Sequence, residues 1–280
     1  MTATARPMER NSSDHIIQRI IEEVPTTFHS HGSLHPDVLW HIMREHKRVD
    51  ARISVETGCG LSTLVLSHLS DRHTVFVSPQ GDSLQNTQSN PYLRSSTTSF
   101  VIGPSQIMVP KWQFSEPLDF VLLDGPHAYP FPDLEYYYIY PYIRKGGMLV
   151  IDDIHIPSIH GIYEFLRDDE MWEHCGDVLT TSFFRRTDKP VFDPLGGDWV
   201  SQRFNRRRFA SQESLEPLFG PGWYQSEFGT PGPAVTTTAA DGKDLRIAEL
   251  SAQIKALRES TSWRITNPLR SVTDWLRRNK

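Results

Sequence analysis

The sequence predicts an α/β protein with a doubly wound, mostly parallel sheet, N-terminal helices and a C-terminal helical tail. Two observations lead to this prediction. Five short apolar runs each end in a polar or small residue, which is typical of strands buried on both faces. Helical patterns such as LSTLVLSHLS and DLEYYYIYPYIRKGG lie between several of these runs. The alternation of strands and helices favours parallel strands that are joined by helical crossovers.

Two helices are predicted before the first strand. Residues 14–24 place isoleucines at helical spacing, and Pro36 suits the first turn of a helix over residues 36–47. The five apolar runs are ISVE (53–56), TVFVS (74–78), SFVIG (99–103), DFVLLD (119–124) and MLVIDD (148–153), and a sixth strand is predicted within LTTSFFRR.

The same patterns predict four segments along the chain. Residues 1–50 form a helical segment, and residues 51–228 form the α/β domain. Residues 229–244 mix Gly, Pro, Thr and Ala without an apolar period, which indicates a flexible linker. Residues 245–280 form the helical tail.

Composition excludes several classes of protein. A formal net charge of -5 over 280 residues argues against a nucleic-acid partner, because such binding needs a basic surface. Two cysteines, Cys59 and Cys175, provide neither a disulfide framework nor a zinc motif, so a reducing cytoplasm is expected. No apolar stretch has the length of a signal peptide core or a membrane span.

The segment VETGCGLST (55–63) predicts a ligand cradle. The first strand ends at Glu56, the chain turns through Gly58 and Gly60, and a helix begins near Ser62, which leaves helix amides open to a ligand. A dinucleotide fingerprint would have a third glycine where Thr63 stands, so that motif is incomplete.

Four stretches in order resemble class I S-adenosylmethionine-dependent methyltransferases, in the branch that includes small-molecule and sugar O-methyltransferases. They are VETGCGLSTLVLSHL, HTVFVSPQGD, FVIGPSQIMVPKW and LDFVLLDGPHAYPFPDLEYYYIYPYIRKGGMLVIDDI. The resemblance spans about residues 53–170 and implies a methyltransferase domain over 51–228. It implies cofactor contacts from residues of the loop and of later strand ends: Glu56, Gly58, Gly60, Thr63, Ser105 and Asp124.

One position departs from the family pattern. The family usually ends its second strand in an acid that binds the ribose hydroxyls, whereas Ser78 stands there in this chain. Asp82, four residues later, is the candidate replacement. Either Asp82 takes over this role from a longer loop, or the affinity for the cofactor is reduced.

Three acids follow two neighbouring strands of the predicted sheet. Asp124 ends one strand, and Asp152 and Asp153 end the next, so their side chains are expected at one sheet edge. Oxygen ligands suit Mg²⁺. The arrangement also resembles the metal triad of macrolide-sugar and aminocoumarin-sugar O-methyltransferases. The alternative is structural, with the acids capping a segment or pairing with Arg144 or Lys145.

His127, three residues after Asp124, is the predicted general base. A neutral imidazole beside a hydroxyl can accept its proton near pH 7. The position matches the catalytic histidine of the macrolide-sugar enzymes. The alternative is a loop histidine that bonds to the backbone.

The tail carries an amphipathic and basic pattern. Residues 243–280 contain nine Lys or Arg against four Asp or Glu, on a chain that is otherwise acidic. Such a tail can lie on an anionic membrane or bind a partner, and its short heptad pattern allows self-association into a homo-oligomer. SWRITNPLR also resembles a segment near the ends of bacterial surface-polysaccharide enzymes. Packing back onto its own domain is the alternative.

Together these features predict an Mg²⁺-assisted O-methyltransferase that acts on a sugar or another small molecule, with surface-glycan synthesis as the expected context. The location expected is cytoplasmic or peripheral at the inner membrane face. Two alternatives stay open: a metal-independent methyltransferase and a non-catalytic scaffold of a glycan-assembly complex.

Overall fold

The computed structural model describes residues 6–25, 28, 33–192, 200, 202–208 and 220–228. The chain divides into two compact units, Met1–Phe209 and Ala210–Lys280. In the second unit the structure describes one short helix, Trp223–Phe228. The predicted linker (229–244) and tail (245–280), with the segment that resembles polysaccharide enzymes, lie outside the described residues.

The first unit is built on a seven-stranded sheet. Its strands are β1 (Ile53–Thr57), β2 (Arg72–Val77), β3 (Thr98–Ile102), β4 (Leu118–Leu123), β5 (Ile143–Ile151), β6 (Trp172–Val178) and β7 (Thr181–Arg186). Their order across the sheet is β3-β2-β1-β4-β5-β7-β6. Strands β1 to β5 are parallel, and β7 runs antiparallel to β5 and β6. The predicted doubly wound, mostly parallel sheet is confirmed.

Helices cover both faces of this sheet. The helices of the first unit are, in chain order, α1 (Arg6–Glu23), α2 (Pro36–Arg48), α3 (Leu61–Leu69), α4 (Ser83–Ser89), α5 (Ser105–Met108), α6 (Phe131–Ile139), α7 (Pro157–Asp168) and α8 (Arg203–Arg208). The helix of the second unit, Trp223–Phe228, is numbered α9. Short 3-10 helices occupy Val109–Lys111 and Tyr140–Tyr142. No helix among the described residues is both long and apolar enough to cross a bilayer.

Alternate residues of the central strands enter two separate apolar clusters, because successive side chains of a strand point to opposite faces. On one face, Val121 and Leu123 of β4 pack with residues of α7 such as Ile162. On the other face, Phe120 and Leu122 pack with α1, α2 and α3. Burial on both faces fixes β4 at the centre, so the residue after it, Asp124, is held at the carboxyl edge of the sheet.

Candidate active site

The turn after β1 requires a glycine at position 58. Gly58 has a φ of 87°, in the left-handed region that favours glycine. A Cβ placed there would lie 2.2 Å from the backbone oxygen of Asp124. Its amide donates a 2.9 Å hydrogen bond to the Phe76 carbonyl of β2. The glycine loop is therefore pressed directly against the end of β4.

The start of α3 is held by buried polar contacts. The Gly60 amide donates to Thr63 Oγ1 at 3.0 Å, and the Thr63 hydroxyl donates to the Glu56 carboxylate. Glu56 is 1% exposed and Thr63 is fully buried. These contacts tie the strand end, the loop and the first helical turn together. A contact between these residues and a cofactor stays a prediction.

The loop after β2 differs in composition from the family pattern. Ser78, just past the end of β2, is exposed, and its hydroxyl accepts a 3.2 Å hydrogen bond from the Gln80 amide. Asp82 is half-buried and directly precedes α4. The structure thus places an acid five residues beyond the end of β2.

Three side chains converge at the carboxyl ends of β4 and β5: Asp124, His127 and Asp153. Each offers a ligand atom, and these atoms lie within 4.8 Å of one another. His127 Nε2 is 3.6 Å from Asp124 Oδ1 and 3.4 Å from Asp153 Oδ2. Asp153 has a φ of 55°, which turns the chain sharply where β5 has ended. We call this group the acid–histidine cluster.

Asp152 lies outside this cluster. Its carboxylate is buried and accepts a hydrogen bond from the Thr181 hydroxyl at the start of β7. The structure thus brings two of the three predicted metal ligands together with the predicted base and directs the third toward β7. Arg144, proposed above as an alternative partner, instead binds Asp119 and the Val49 carbonyl.

Burial and like charge shape the ionisation of this cluster. Although 29% of the Asp124 side chain is exposed, loss of solvation at its carboxyl raises the pKa to about 7. The nearby Asp124 carboxyl group raises the pKa of His127 above its usual value. Burial also raises the pKa of Asp152. The local excess of carboxylates therefore favours uptake of a positive charge, from protons or from a cation.

Sequence reasoning missed Glu135 of α6, a carboxyl group beneath the cluster. Glu135 is 2% exposed and accepts a 2.7 Å hydrogen bond from the Thr57 hydroxyl. The same hydroxyl accepts from the Asp124 amide at 3.2 Å. Burial raises the pKa of Glu135 to about 7, although the hydroxyls of Ser105 and Thr57 act to lower it. The carboxyl group thereby links α6 to the backbone of Asp124.

The available signal for Glu135 was weak. Glu135 is the single acid within the aromatic run LEYYYIY. The apolar pattern of this run did not indicate which side of the helix would face the sheet. Ser105, predicted near the cofactor, lies buried at the start of α5 beside this carboxyl group. The structure therefore groups Ser105 with Glu135.

Comparison with known proteins agrees with this fold. Residues 55–154 match the sequence family described as a methyltransferase domain. Among solved structures, a candidate O-methyltransferase from Klebsiella pneumoniae is similar with a TM-score of 0.51 at 10% identity, over 61% of this chain and 90% of that chain. A search of curated proteins returns no match.

Two further structures are similar at lower scores. A candidate caffeoyl-CoA O-methyltransferase from Staphylococcus aureus has a TM-score of 0.49 at 12% identity, over 62% of this chain and 92% of that chain. TomG from Streptomyces achromogenes, an O-methyltransferase involved in tomaymycin synthesis, was solved in complex with SAM. It has a TM-score of 0.46 at 11% identity, over 64% of this chain and 89% of that chain.

The match over residues 55–154 includes the glycine loop and both strand ends of the acid–histidine cluster. The similarity to the Klebsiella pneumoniae structure concerns the fold and covers 61% of this chain. The predicted Rossmann-like methyltransferase fold is confirmed, and the match over residues 55–154 supports the prediction that the chain is an enzyme of the methyltransferase class.

Proposed function

We propose that the chain transfers a methyl group from S-adenosylmethionine to a hydroxyl group of a sugar or another small molecule, with help from a divalent cation. One observation carries the proposal: Asp124, His127 and Asp153 converge at the sheet edge, directly beside the glycine loop. A donor cradle and a site for acceptor chemistry are thereby adjacent.

The residues of the glycine loop fit the donor. Gly58 keeps side-chain atoms out of the loop, and Glu56 supplies a negative charge near it. When bound, S-adenosylmethionine would supply an electrophilic methyl group on a positively charged sulfur. Asp82 is the candidate for the ribose hydroxyls, in place of the acid that the second strand lacks.

The acid–histidine cluster fits a divalent cation. Two carboxyl groups and an imidazole converge there, and loss of solvation at Asp124 raises the pKa of its carboxyl, a cost of ionisation that a bound cation would offset. Asp124 and Asp153 would hold the ion, and Asp152 would join only if its bond to Thr181 were exchanged. When bound, Mg²⁺ would supply positive charge beside the acceptor oxygen.

His127 is proposed as the general base. Its side chain is 43% exposed, so the imidazole ring is open to the solvent side, from which an acceptor would approach. The Ser158 hydroxyl donates to the His127 carbonyl and fixes the backbone at this position. Nε2 would take the hydroxyl proton as the oxygen attacks, and the nearby carboxylates would stabilise the imidazolium that forms.

The acceptor is proposed to be a glycan or its activated precursor. This part of the proposal rests on the resemblance of the core motifs to sugar O-methyltransferases and on the basic tail, which lies outside the described residues. The tail would hold the enzyme at an anionic membrane face or at a partner in glycan assembly. The short heptad pattern of the tail would also allow the chain to associate with itself into a homo-oligomer.

The first test is calorimetric titration of S-adenosylmethionine and of its demethylated product, with Mg²⁺ and with a chelator. Micromolar binding is expected for both. A lack of binding under both conditions would overturn the donor assignment and would favour the scaffold alternative.

The second test measures methyl transfer to sugars that carry two adjacent hydroxyls, with deoxy analogues as controls. We expect D124N and D153N to lose the Mg²⁺ dependence of transfer. D152N is the comparison variant, and it should keep the Mg²⁺ dependence if the Asp152 carboxylate stays bonded to Thr181 as in this structure. Transfer that is unaffected by chelator in the unmodified enzyme would contradict the cation role and leave a metal-independent methyltransferase.

A further inference from the structure

A chain of polar side chains crosses the core between the helices α2 and α3 and the strands β1 and β2. Each is at most 2% exposed, although the surrounding residues form an apolar cluster. In spatial order they are His46, Ser70, Ser54, His73, Glu56 and Thr63. Buried polar groups are costly without partners, so a continuous set of this length calls for an explanation.

The contacts are close along the whole chain. His46 Nε2 lies 3.0 Å from Ser70 Oγ, and Ser70 Oγ lies 2.6 Å from Ser54 Oγ. Ser54 Oγ lies 2.8 Å from His73 Nδ1. His73 Nε2 lies 3.3 Å from Glu56 Oε1, off the alignment of a hydrogen bond, and has no hydrogen-bond partner among the described residues.

Strand register accounts for this placement. Ser54 of β1 and His73 of β2 are direct partners in the parallel pair. Glu56 is two residues after Ser54, so its side chain points to the same face of the sheet. The His73 ring is thus held between Ser54 on one side and Glu56 on the other.

The direction of the hydrogens follows from the carboxylate. An ionised Glu56 only accepts, so Thr63 donates to it and a hydrogen on His73 Nε2 faces it favourably. A neutral His73 then accepts a hydrogen bond at Nδ1 from the Ser54 hydroxyl. The Ser54 hydroxyl in turn accepts from Ser70, and the Ser70 hydroxyl accepts from His46. Every hydrogen in this arrangement points toward Glu56.

We infer that His73 is a positioning residue for Glu56. With its hydrogen on Nε2, 3.3 Å from Glu56 Oε1, His73 holds the Glu56 carboxylate in its orientation beside the glycine loop. The carboxylate would then serve a cationic group of the methyl donor. The effect of His73 on donor binding rests on the proposed function. The tautomer of His73 can be measured without any cofactor.

The first experiment is ¹⁵N NMR of the histidine-labelled full chain without cofactor, with H73Q identifying the signals of His73. Imidazole nitrogen shifts distinguish the two tautomers. A hydrogen on Nε2, in a neutral or a cationic ring, supports the inference. A neutral ring with its hydrogen on Nδ1 overturns it.

The second experiment compares two variants of similar chemistry and different length. The amide nitrogen of H73Q reaches the position of Nε2, whereas that of H73N stops near Nδ1. We expect H73N to bind S-adenosylmethionine roughly 3- to 10-fold more weakly than the unmodified protein, because one polar contact is lost. The affinity of H73Q should be closer to that of the unmodified protein. Equal affinities in folded H73N and H73Q would overturn the positioning role.

S54A tests the middle of the chain, and S67A is its matched control. Ser67 is also fully buried and lies on α3, but its hydroxyl donates to the Leu64 carbonyl outside the chain of contacts. Only S54A is expected to shift the His73 tautomer. If the unmodified protein binds no S-adenosylmethionine, the proposed function fails, and the tautomer measurement still decides the state of His73.

Discussion

Replacing Glu135 by glutamine is expected to change how the stability of the protein depends on pH. Glu135 is 2% exposed, and burial raises its pKa from 4.5 to about 7. The folded state therefore holds a proton that the unfolded state has lost between these two values. Its contribution to stability is fully present below pH 4.5 and is lost as pH rises through about 7.

The size of this effect follows from the two pKa values. A difference of one pKa unit corresponds to about 1.4 kcal/mol, so the carboxyl group costs about 3 kcal/mol of unfolding free energy once it is ionised. E135Q resembles the protonated form, and its amide oxygen can still accept from Thr57. We expect E135Q to be more stable than the unmodified protein by up to about 3 kcal/mol at pH 8, and to have no such advantage at pH 5.

The assay is urea unfolding followed by tryptophan fluorescence at several pH values from 5 to 8, in chelator. The quantity of interest is the difference in unfolding free energy between E135Q and the unmodified protein. E164Q, on the exposed face of α7, is the control and is expected to give a difference that does not change with pH. A pH-independent difference for E135Q as well would refute the assignment of a proton to Glu135.

Three further predictions concern the site. H127N is expected to lower the rate of methyl transfer by about 10²- to 10⁴-fold while the affinity for S-adenosylmethionine, measured by calorimetry, stays unchanged; a normal rate would exclude His127 as the base. Mg²⁺ binding measured by titration should weaken by about tenfold for each pH unit below about 7, because protons compete for Asp124; affinity that is constant from pH 5 to 7 would contradict this competition. G58A should destabilise the fold by at least about 2 kcal/mol and abolish donor binding, because the added Cβ meets the Asp124 carbonyl. Its control, G161A in α7, has open space around the new methyl group and should be neutral or slightly stabilising; equal Tm values for the two variants would disprove the steric argument.

The parallel strands could be predicted because each contains a short apolar run, which in β1, β4 and β5 reflects burial on both faces. Strand β6, WEHCGDV, could not, because it lies at the sheet edge and carries polar residues along its length. Helix α4, SLQNTQS, was missed for a similar reason, since it has no apolar period. Local pattern thus identifies central elements better than peripheral ones.

The site shows the same division. The meeting of Asp124, His127 and Asp153 follows from the rule that parallel strands end at one sheet edge. The bond from Thr181 to Asp152 depends on the antiparallel placement of β7, and no local pattern near Asp152 indicates it. Glu135 likewise depends on which face α6 turns toward Thr57. Contacts set by tertiary packing stay hidden from a single sequence.

The contact between Gly58 and Asp124 has a consequence for how ligands would influence one another. The loop and the end of β4 meet without room for a single added carbon, so neither can shift by much unless the other shifts too. Any displacement caused by a ligand at the loop would be transmitted to the acid–histidine cluster through this backbone contact. Donor and cation affinities would then be thermodynamically linked, each raising or lowering the other by the same factor.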